Sequence, residues 1–365
     1  MPSVDSLDVS AYVIPTAQPE SDGTLTWEST CVVIVEVTSA GARGLGFTYA
    51  TPACARLIDD VLRPAVLASD AMDVTGAWSS MARSIRNMGR PGISSMSIAA
   101  VDCALWDLKA RLLSVPLASL LGHVRQEVPL YGSGGFTSLT SRQLDQQLTT
   151  WVEDQGMTRV KIKVAEAWGT RIERDVERVA QARRIIGDQC ELFVDANGGY
   201  GVKQAVRIGS QFADFGVTWF EEPVSSDHLE GLAQVRSAVP MDVTAGEYGY
   251  DLFYFEAMCE SGAVDCLQAD VSRCAGITEW MRVAAVAESH GLEVSGHCAQ
   301  SLHVHPAAAV HNLRHLEYFA DHERVDRLLF DGVLEPRGGS LRPDLSRVGN
   351  GLDLKRRDAE RYRVL

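Results

Sequence analysis

Eight cysteines are present but none forms a CxxC pair, and the chain contains neither HExxH nor GxxxxGK[ST]. These gaps argue against a zinc ribbon or dithiol redox centre, a zinc-peptidase helix and a P-loop phosphate cradle. Positive charge is also scarce, with 34 Lys and Arg against 48 Asp and Glu and a formal charge of −14. With no basic footprint, binding to nucleic acid is not expected. No apolar run approaches the length of a membrane span, and Met1–Ser10 lacks the basic start and apolar centre of a signal peptide. The expected setting is reduced and cytoplasmic, with the scattered cysteines acting as small core residues. The Gly41–Gly46 stretch lies in a β-turn rather than between strand and helix, so it fails the dinucleotide-binding test.

At 365 residues, 46% hydrophobic and 22% charged, the chain is long enough for an α/β barrel with an appendage. Its first 50 residues read as a β-meander, with strands over Val9–Ile14, Cys31–Val37 and Gly44–Tyr49. Between the first two strands Pro15–Ser29 reads as a polar loop, long enough to be a flap. Ile98, Val101, Leu105, Leu108 and Leu112 then make one helical stripe, closed off by Pro116 and Gly122. From there strands and helices alternate. Strands are expected at Val128–Tyr131, Thr158–Val164, Leu192–Asp195, Val217–Glu221, Val243–Glu247, Cys266–Asp270, Leu292–His297 and Leu316–Tyr318. Such a rhythm predicts parallel β with crossover helices, and eight strands favour a closed barrel. The expected units are 1–122 as an α+β cap, 123–330 as the barrel, and 331–365 as a segment returning to the cap.

Chemistry-bearing residues fall at the strand tips. Asp195, Glu221 and Glu247 are spaced 26 residues apart, each ending a short apolar run. Carboxylates at successive tips meet at one barrel mouth, and three oxygen donors suit a hard dication such as Mg²⁺. In Thr158–Val164, Lys161 and Lys163 share one face, which points into a barrel; a buried lysine near a dication can act as a general base with a lowered pKa. Asp270 and His297 end neighbouring strands and can pair, which would fix the imidazole tautomer. Glu317, at the next tip, is expected to donate a hydrogen bond if protonated. Asn197 and Glu222 read as outer support for the carboxylates, Ser133 and Tyr248 as residues near the substrate. The loop residues Glu20, Asp22 and Trp27, together with Phe47, read as specificity determinants. The histidines His297, His303, His305, His311 and His315 offer a weaker zinc or nickel reading, with His311 and His315 at i,i+4 taken as a helix face.

Together, several motifs resemble one family: Ala100–Val101–Asp102 through Leu105–Trp106–Asp107–Leu108–Lys109, Lys161–Ile162–Lys163, Asp195–Ala196–Asn197, Trp219–Phe220–Glu221–Glu222–Pro223, Gly246–Glu247, Asp270, Gly296–His297 and Glu317. In order and spacing they are similar to the mandelate racemase branch of the enolase superfamily, over essentially the whole chain. The resemblance implies an α+β cap on a modified (β/α)₇β barrel, one Mg²⁺ on Asp195, Glu221 and Glu247, and proton abstraction α to a carboxylate to give an enediolate. It further implies Lys163 as one base with Lys161 holding its pKa down, the His297–Asp270 dyad as the other, and Glu317 bonding the substrate carboxylate. Ala275–Gly276 departs from the family, where many relatives carry two glycines.

The expected reaction is dehydration of a sugar acid to a 2-keto-3-deoxy acid, since the Pro15–Ser29 loop is polar. Racemisation, epimerisation or cycloisomerisation is the alternative, and a non-catalytic Mg²⁺-binding barrel is a reading of another class. A homo-oligomer acting on a small carboxylate is expected.

Overall fold

A computed structural model describes residues 2–365. Three antiparallel strands open the chain: β1 (Ser6–Ser21), β2 (Thr26–Ser39) and β3 (Ala42–Tyr49), ordered β1-β2-β3. The long helix Ile93–Leu112 packs across β2 and β3, and Gly44 and Gly46 leave no room there for a Cβ against its backbone. Its buried face runs through Ile98, Val101, Leu105 and Leu108, the stripe expected from the spacing.

The stretch expected as a polar loop is mostly strand. β1 and β2 continue pairing to Ser21 and Thr26, leaving a turn whose Asp22 Oδ1 accepts the amides of Thr24 and Leu25 at 2.6 and 2.8 Å. A register shift between Pro15 and Glu20 absorbs the proline, tolerated because β1 is an edge strand. The result is a stiff hairpin arm rather than a loose flap.

Eight parallel strands follow: β4 (Val128–Gly134), β5 (Arg159–Lys163), β6 (Glu191–Asp195), β7 (Val217–Glu221), β8 (Asp242–Ala245), β9 (Cys266–Ala269), β10 (Glu293–Gly296) and β11 (Leu313–Phe319). They pair in chain order, and β11 closes on β4. Strand alternation sorts the side chains. Val160, Ile162, Val194 and Phe220 join the large core beneath the helices, whereas Tyr131, Phe193 and Trp219 form a separate aromatic cluster on the interior face. His315 lies in β11 beside these rings, and His311 sits in the preceding turn, so the two do not share a helix face.

The two parts meet through polar contacts at the segment after β9 and at the helix Ala320–Leu329. Trp78 Nε1 donates to Ala275 O (2.9 Å), Trp106 Nε1 to Thr278 Oγ1 (2.9 Å), and Tyr49 Oη to Asp326 Oδ1 (2.5 Å). Beyond Asp331 the chain runs back over the cap, where Asn350 Nδ2 donates to Leu45 O and Val364 N to Ala11 O. Phe47 is fully buried in this seam, stacked on Phe330 with centroids 4.8 Å apart. It therefore does not line the barrel mouth, contrary to its reading as a specificity residue, because β3 turns it into the core. Among the described residues no helix is long and apolar enough to cross a membrane.

Candidate active site

Register brings the charged residues to one level. Lys163 pairs across β5–β6 with Asp195, and Asp195 across β6–β7 with Glu221. Glu247 lies two residues beyond β8 and reaches the same mouth through Gly246. That glycine has φ +133°, and a Cβ there would meet Gln268 O at 2.0 Å. Asp195, Glu221 and Glu247 are all buried, with one carboxylate oxygen of each within 4.8 Å of the others. Glu221 Oε1 is buried without a hydrogen-bond partner, and Glu247 Oε2 is buried facing the His297 ring at 3.3 Å. Burial and the neighbouring Asp195 push the Glu221 carboxyl up to about 8, against the opposing pull of Lys161. An all-oxygen set of crowded, under-satisfied carboxylates fits a hard dication.

Cations are interleaved with these acids. Lys161, fully buried, places Nζ 2.6 Å from Glu221 Oε2, 2.8 Å from Glu317 Oε1 and 5.2 Å from the centre of the Tyr131 ring. Lys163 pairs with Asp195. Burial and Lys161 disfavour the Lys163 ammonium, but Asp195, Glu247 and Glu317 together outweigh them, and its pKa is raised. The expected lowering refers to a site that holds a dication; of the two influences foreseen, Lys161 acts downward.

His297 and Asp270 meet as expected, with Nδ1 2.8 Å from Asp270 Oδ2. The other ring nitrogen, Nε2, faces Glu247 Oε2 at 3.3 Å and Glu317 Oε2 at 3.6 Å. Burial opposes a charged imidazole, yet the surrounding Cys298, Glu247 and Glu317 raise the His297 pKa well above its ordinary value. Burial likewise favours a neutral Asp270, but the His297 contact and Arg273 hold it well below the usual carboxylate range.

Glu317 is an acceptor, not the donor expected. It takes bonds from Ser133 Oγ (2.5 Å), Lys161 and the Cys298 amide (3.0 Å), and Lys161, His297 and Lys163 together override burial to keep it ionised. Asn197 N donates to Asp195 Oδ1 (2.9 Å). Glu222, buried at φ +37°, borders with Asn197 and Tyr248 a cavity of about 480 Å³ that also includes Trp168, Tyr250 and Tyr254. Another cavity of about 550 Å³ lies at the opposite barrel end, around Arg159, Trp219, Arg314 and His315, away from these acids.

The hairpin arm covers the mouth. Gly23 is pressed so closely on β5's end that a Cβ would lie 2.6 Å from Val164 O, and Trp168 N donates to Gly23 O (2.9 Å). Trp27 Nε1 donates to Glu20 Oε2 (3.0 Å), and the Trp27 ring meets Phe136 edge-on at 5.5 Å. Asp22 is spent on its own turn. Two neighbours were missed from sequence. Arg273 joins Glu247 Oε1 (3.2 Å) to Asp270 Oδ2 (3.4 Å), and Cys298 Sγ lies 3.3 Å from His297 Nε2. Both follow a strand tip by three residues or one, a position that could have flagged them.

Comparison with known proteins agrees with this architecture. Residues 8–122 match the mandelate racemase / muconate lactonizing enzyme N-terminal domain, and residues 143–359 the enolase C-terminal domain-like family. The L-talarate/galactarate dehydratase of Salmonella typhimurium is 30% identical over 351 residues, covering 93% of this chain and 86% of that protein. A mandelate racemase/muconate lactonizing enzyme-like protein from Rubrobacter xylanophilus superposes with TM-score 0.96 at 49% identity, covering 100% of both chains. A racemase from Streptomyces coelicolor A3(2), solved with bound magnesium, gives TM-score 0.93 at 29% identity over 99% of this chain and 100% of that one. With both of its regions matched, the chain belongs to the mandelate racemase/muconate lactonizing enzyme family of the enolase superfamily.

Proposed function

We propose that this protein is a Mg²⁺-dependent enzyme that removes the proton α to the carboxylate of a sugar acid, and that its overall reaction is dehydration to a 2-keto-3-deoxy acid. The observation that carries the reading is the placement of Lys163 at the end of β5 and His297 just after β10, with a buried acidic cluster between them. Asp195, Glu221 and Glu247 would hold the dication, which would supply positive charge to the developing enediolate and compete with Lys163 for Asp195.

The chain's own residues divide the remaining work. Lys163 or His297 takes the α-proton, and the other faces the opposite side of that carbon. Asp270 holds the imidazole so that Nε2 points into the site. For elimination, a protonated His297 gives its proton to the departing β-hydroxyl. Lys161 and Ser133 fix Glu317, and the hairpin arm excludes water over the site. The dehydratase relative supports the sugar-acid class, and the polar residues Glu20 and Asn197 suit a polyhydroxy substrate. The racemase neighbour supports the second reading, in which the opposite base returns the proton and inverts the centre. A sugar-acid library incubated with Mg²⁺ tests both: 2-keto acid formation supports dehydration, epimerised acid supports inversion. A library that neither reacts nor exchanges its α-proton in D₂O rejects the proposal.

A further inference from the structure

We propose that His297, Cys298 and Glu317 form a second metal site beside the three carboxylates, one that takes a thiophilic dication such as Zn²⁺ and silences His297 when filled. The donors are a nitrogen, a sulfur and an oxygen, the mixture that borderline-soft Zn²⁺ prefers and hard Mg²⁺ does not. Their spacing is the stronger argument. Zn–S of about 2.3 Å with Zn–N and Zn–O of about 2.0–2.2 Å, at tetrahedral angles, puts neighbouring donors roughly 3.4–3.6 Å apart. In the structure Cys298 Sγ lies 3.3 Å from His297 Nε2 and 3.4 Å from Glu317 Oε2, and that oxygen lies 3.6 Å from Nε2. The triangle is already the right size.

The surroundings are those of a supported metal site. His297 turns its other nitrogen to Asp270 at 2.8 Å, the carboxylate–histidine pairing that orients imidazole toward metals. Ser133 and Lys161 hold Glu317 through Oε1, so Oε2 stays turned toward the sulfur. Cys298 adopts φ +45°, a left-handed conformation uncommon for a side-chain-bearing residue, within the turn that brings its thiol to the cluster. All three residues are buried. Filling the site releases the Cys298 thiol proton, and any proton on His297 Nε2, to solvent; the sulfur is held as thiolate and the imidazole binds neutral.

Metal binding here goes beyond the proposed reaction and is read without substrate. In saturating Mg²⁺, the full-length protein is titrated with Co²⁺ as the probe. The expected result is a thiolate-to-cobalt charge-transfer absorption saturating at one equivalent, displaced by Zn²⁺ and absent in Cys298→Ser. No such band in the wild type, or an undiminished band in Cys298→Ser, overturns the site. X-ray absorption of the Zn²⁺-loaded wild type needs no variant: one sulfur at about 2.3 Å is expected, and a shell of oxygen and nitrogen only refutes it. With any acid that reacts, Cys298→Ser should raise the half-inhibiting Zn²⁺ concentration by at least ~10-fold at saturating Mg²⁺. Equal inhibition of both proteins would place Zn²⁺ on the carboxylates and overturn the silencing of His297.

Discussion

Lys161 and Glu317 form a buried ion pair, Nζ to Oε1 2.8 Å, that ties β5 to β11 inside the barrel. The same ammonium holds Glu221 at 2.6 Å and lies 3.5 Å from Asp195, so one cation serves three acids away from water. Replacing it with an apolar side chain of similar length removes the cation that Glu221 and Glu317 both contact directly. Lys161→Met should cost about 3–5 kcal/mol in urea unfolding without added metal. A loss under about 1 kcal/mol would mean that the acids are neutralised without Lys161.

The metal assignment makes Glu221 the sharpest test. Its Oε1 has no protein partner, whereas Oε2 accepts from Lys161 and Trp219. Glu221→Gln should cut Mg²⁺-dependent turnover by at least about 10²-fold while circular dichroism is unchanged. Chelation of the wild type should abolish activity, and Mg²⁺ should restore it. Unaltered Mg²⁺ dependence in Glu221→Gln would remove this carboxylate from the site.

Much of this arrangement was legible in the chain because parallel strands bury both faces and so appear as short apolar runs with functional residues at their tips. β7 ends at Glu221 as read, and the pairing of His297 with Asp270 followed from neighbouring tips. What failed depended on partners distant in sequence. Pro15 and the polar residues around it masked a hairpin whose backbone bonds come from β2. Phe47 looked like a rim aromatic until Phe330 was found covering it. Glu317 looked free to donate, yet Lys161 and Ser133 both donate to it. Cys298 carries no motif beyond its place directly after His297, and its contact with that ring sets it apart from the other cysteines.

The hairpin arm offers a prediction about specificity. Gly23 lies against the backbone of Val164, one residue beyond Lys163. Gly23→Val cannot be seated without lifting the tip. It should raise KM for the reacting acid several-fold and loosen discrimination among acids, with Mg²⁺ affinity unchanged. An unchanged KM would mean that the tip does not close on substrate.

Asp326 at the seam sets a pH dependence of stability. Burial lifts its carboxyl to about 7, against hydrogen bonds from Ser301 and Tyr49. The folded state therefore holds this proton more tightly than the unfolded chain. By linkage its contribution is greatest below the unfolded value near 4 and declines as pH rises toward about 7. Asp326→Asn cannot ionise, so the fall in urea midpoint between about pH 5 and 7.5 should be smaller in the variant. Equal falls would show that Asp326 does not titrate in this range.

The two bases can be separated by which face of the α-carbon each serves. Lys163 ends β5 and His297 directly follows β10, and the barrel order puts β4 and β11 between those strands on the shorter path. If they approach from opposite faces, each exchanges the α-proton of one configuration only. In D₂O, His297→Asn should lose exchange from one epimer and keep it from the other, and Lys163→Ala should show the reverse. Where the wild type forms a keto acid, His297→Asn should lose elimination too, because no proton reaches the departing hydroxyl. Asp270→Asn should act through the imidazole, lowering the rate while Mg²⁺ binding persists, since Asp270 contacts Nδ1 and none of the three metal-site carboxylates. Loss of exchange from the same epimer in both base variants would put Lys163 and His297 on one face and end the two-base mechanism.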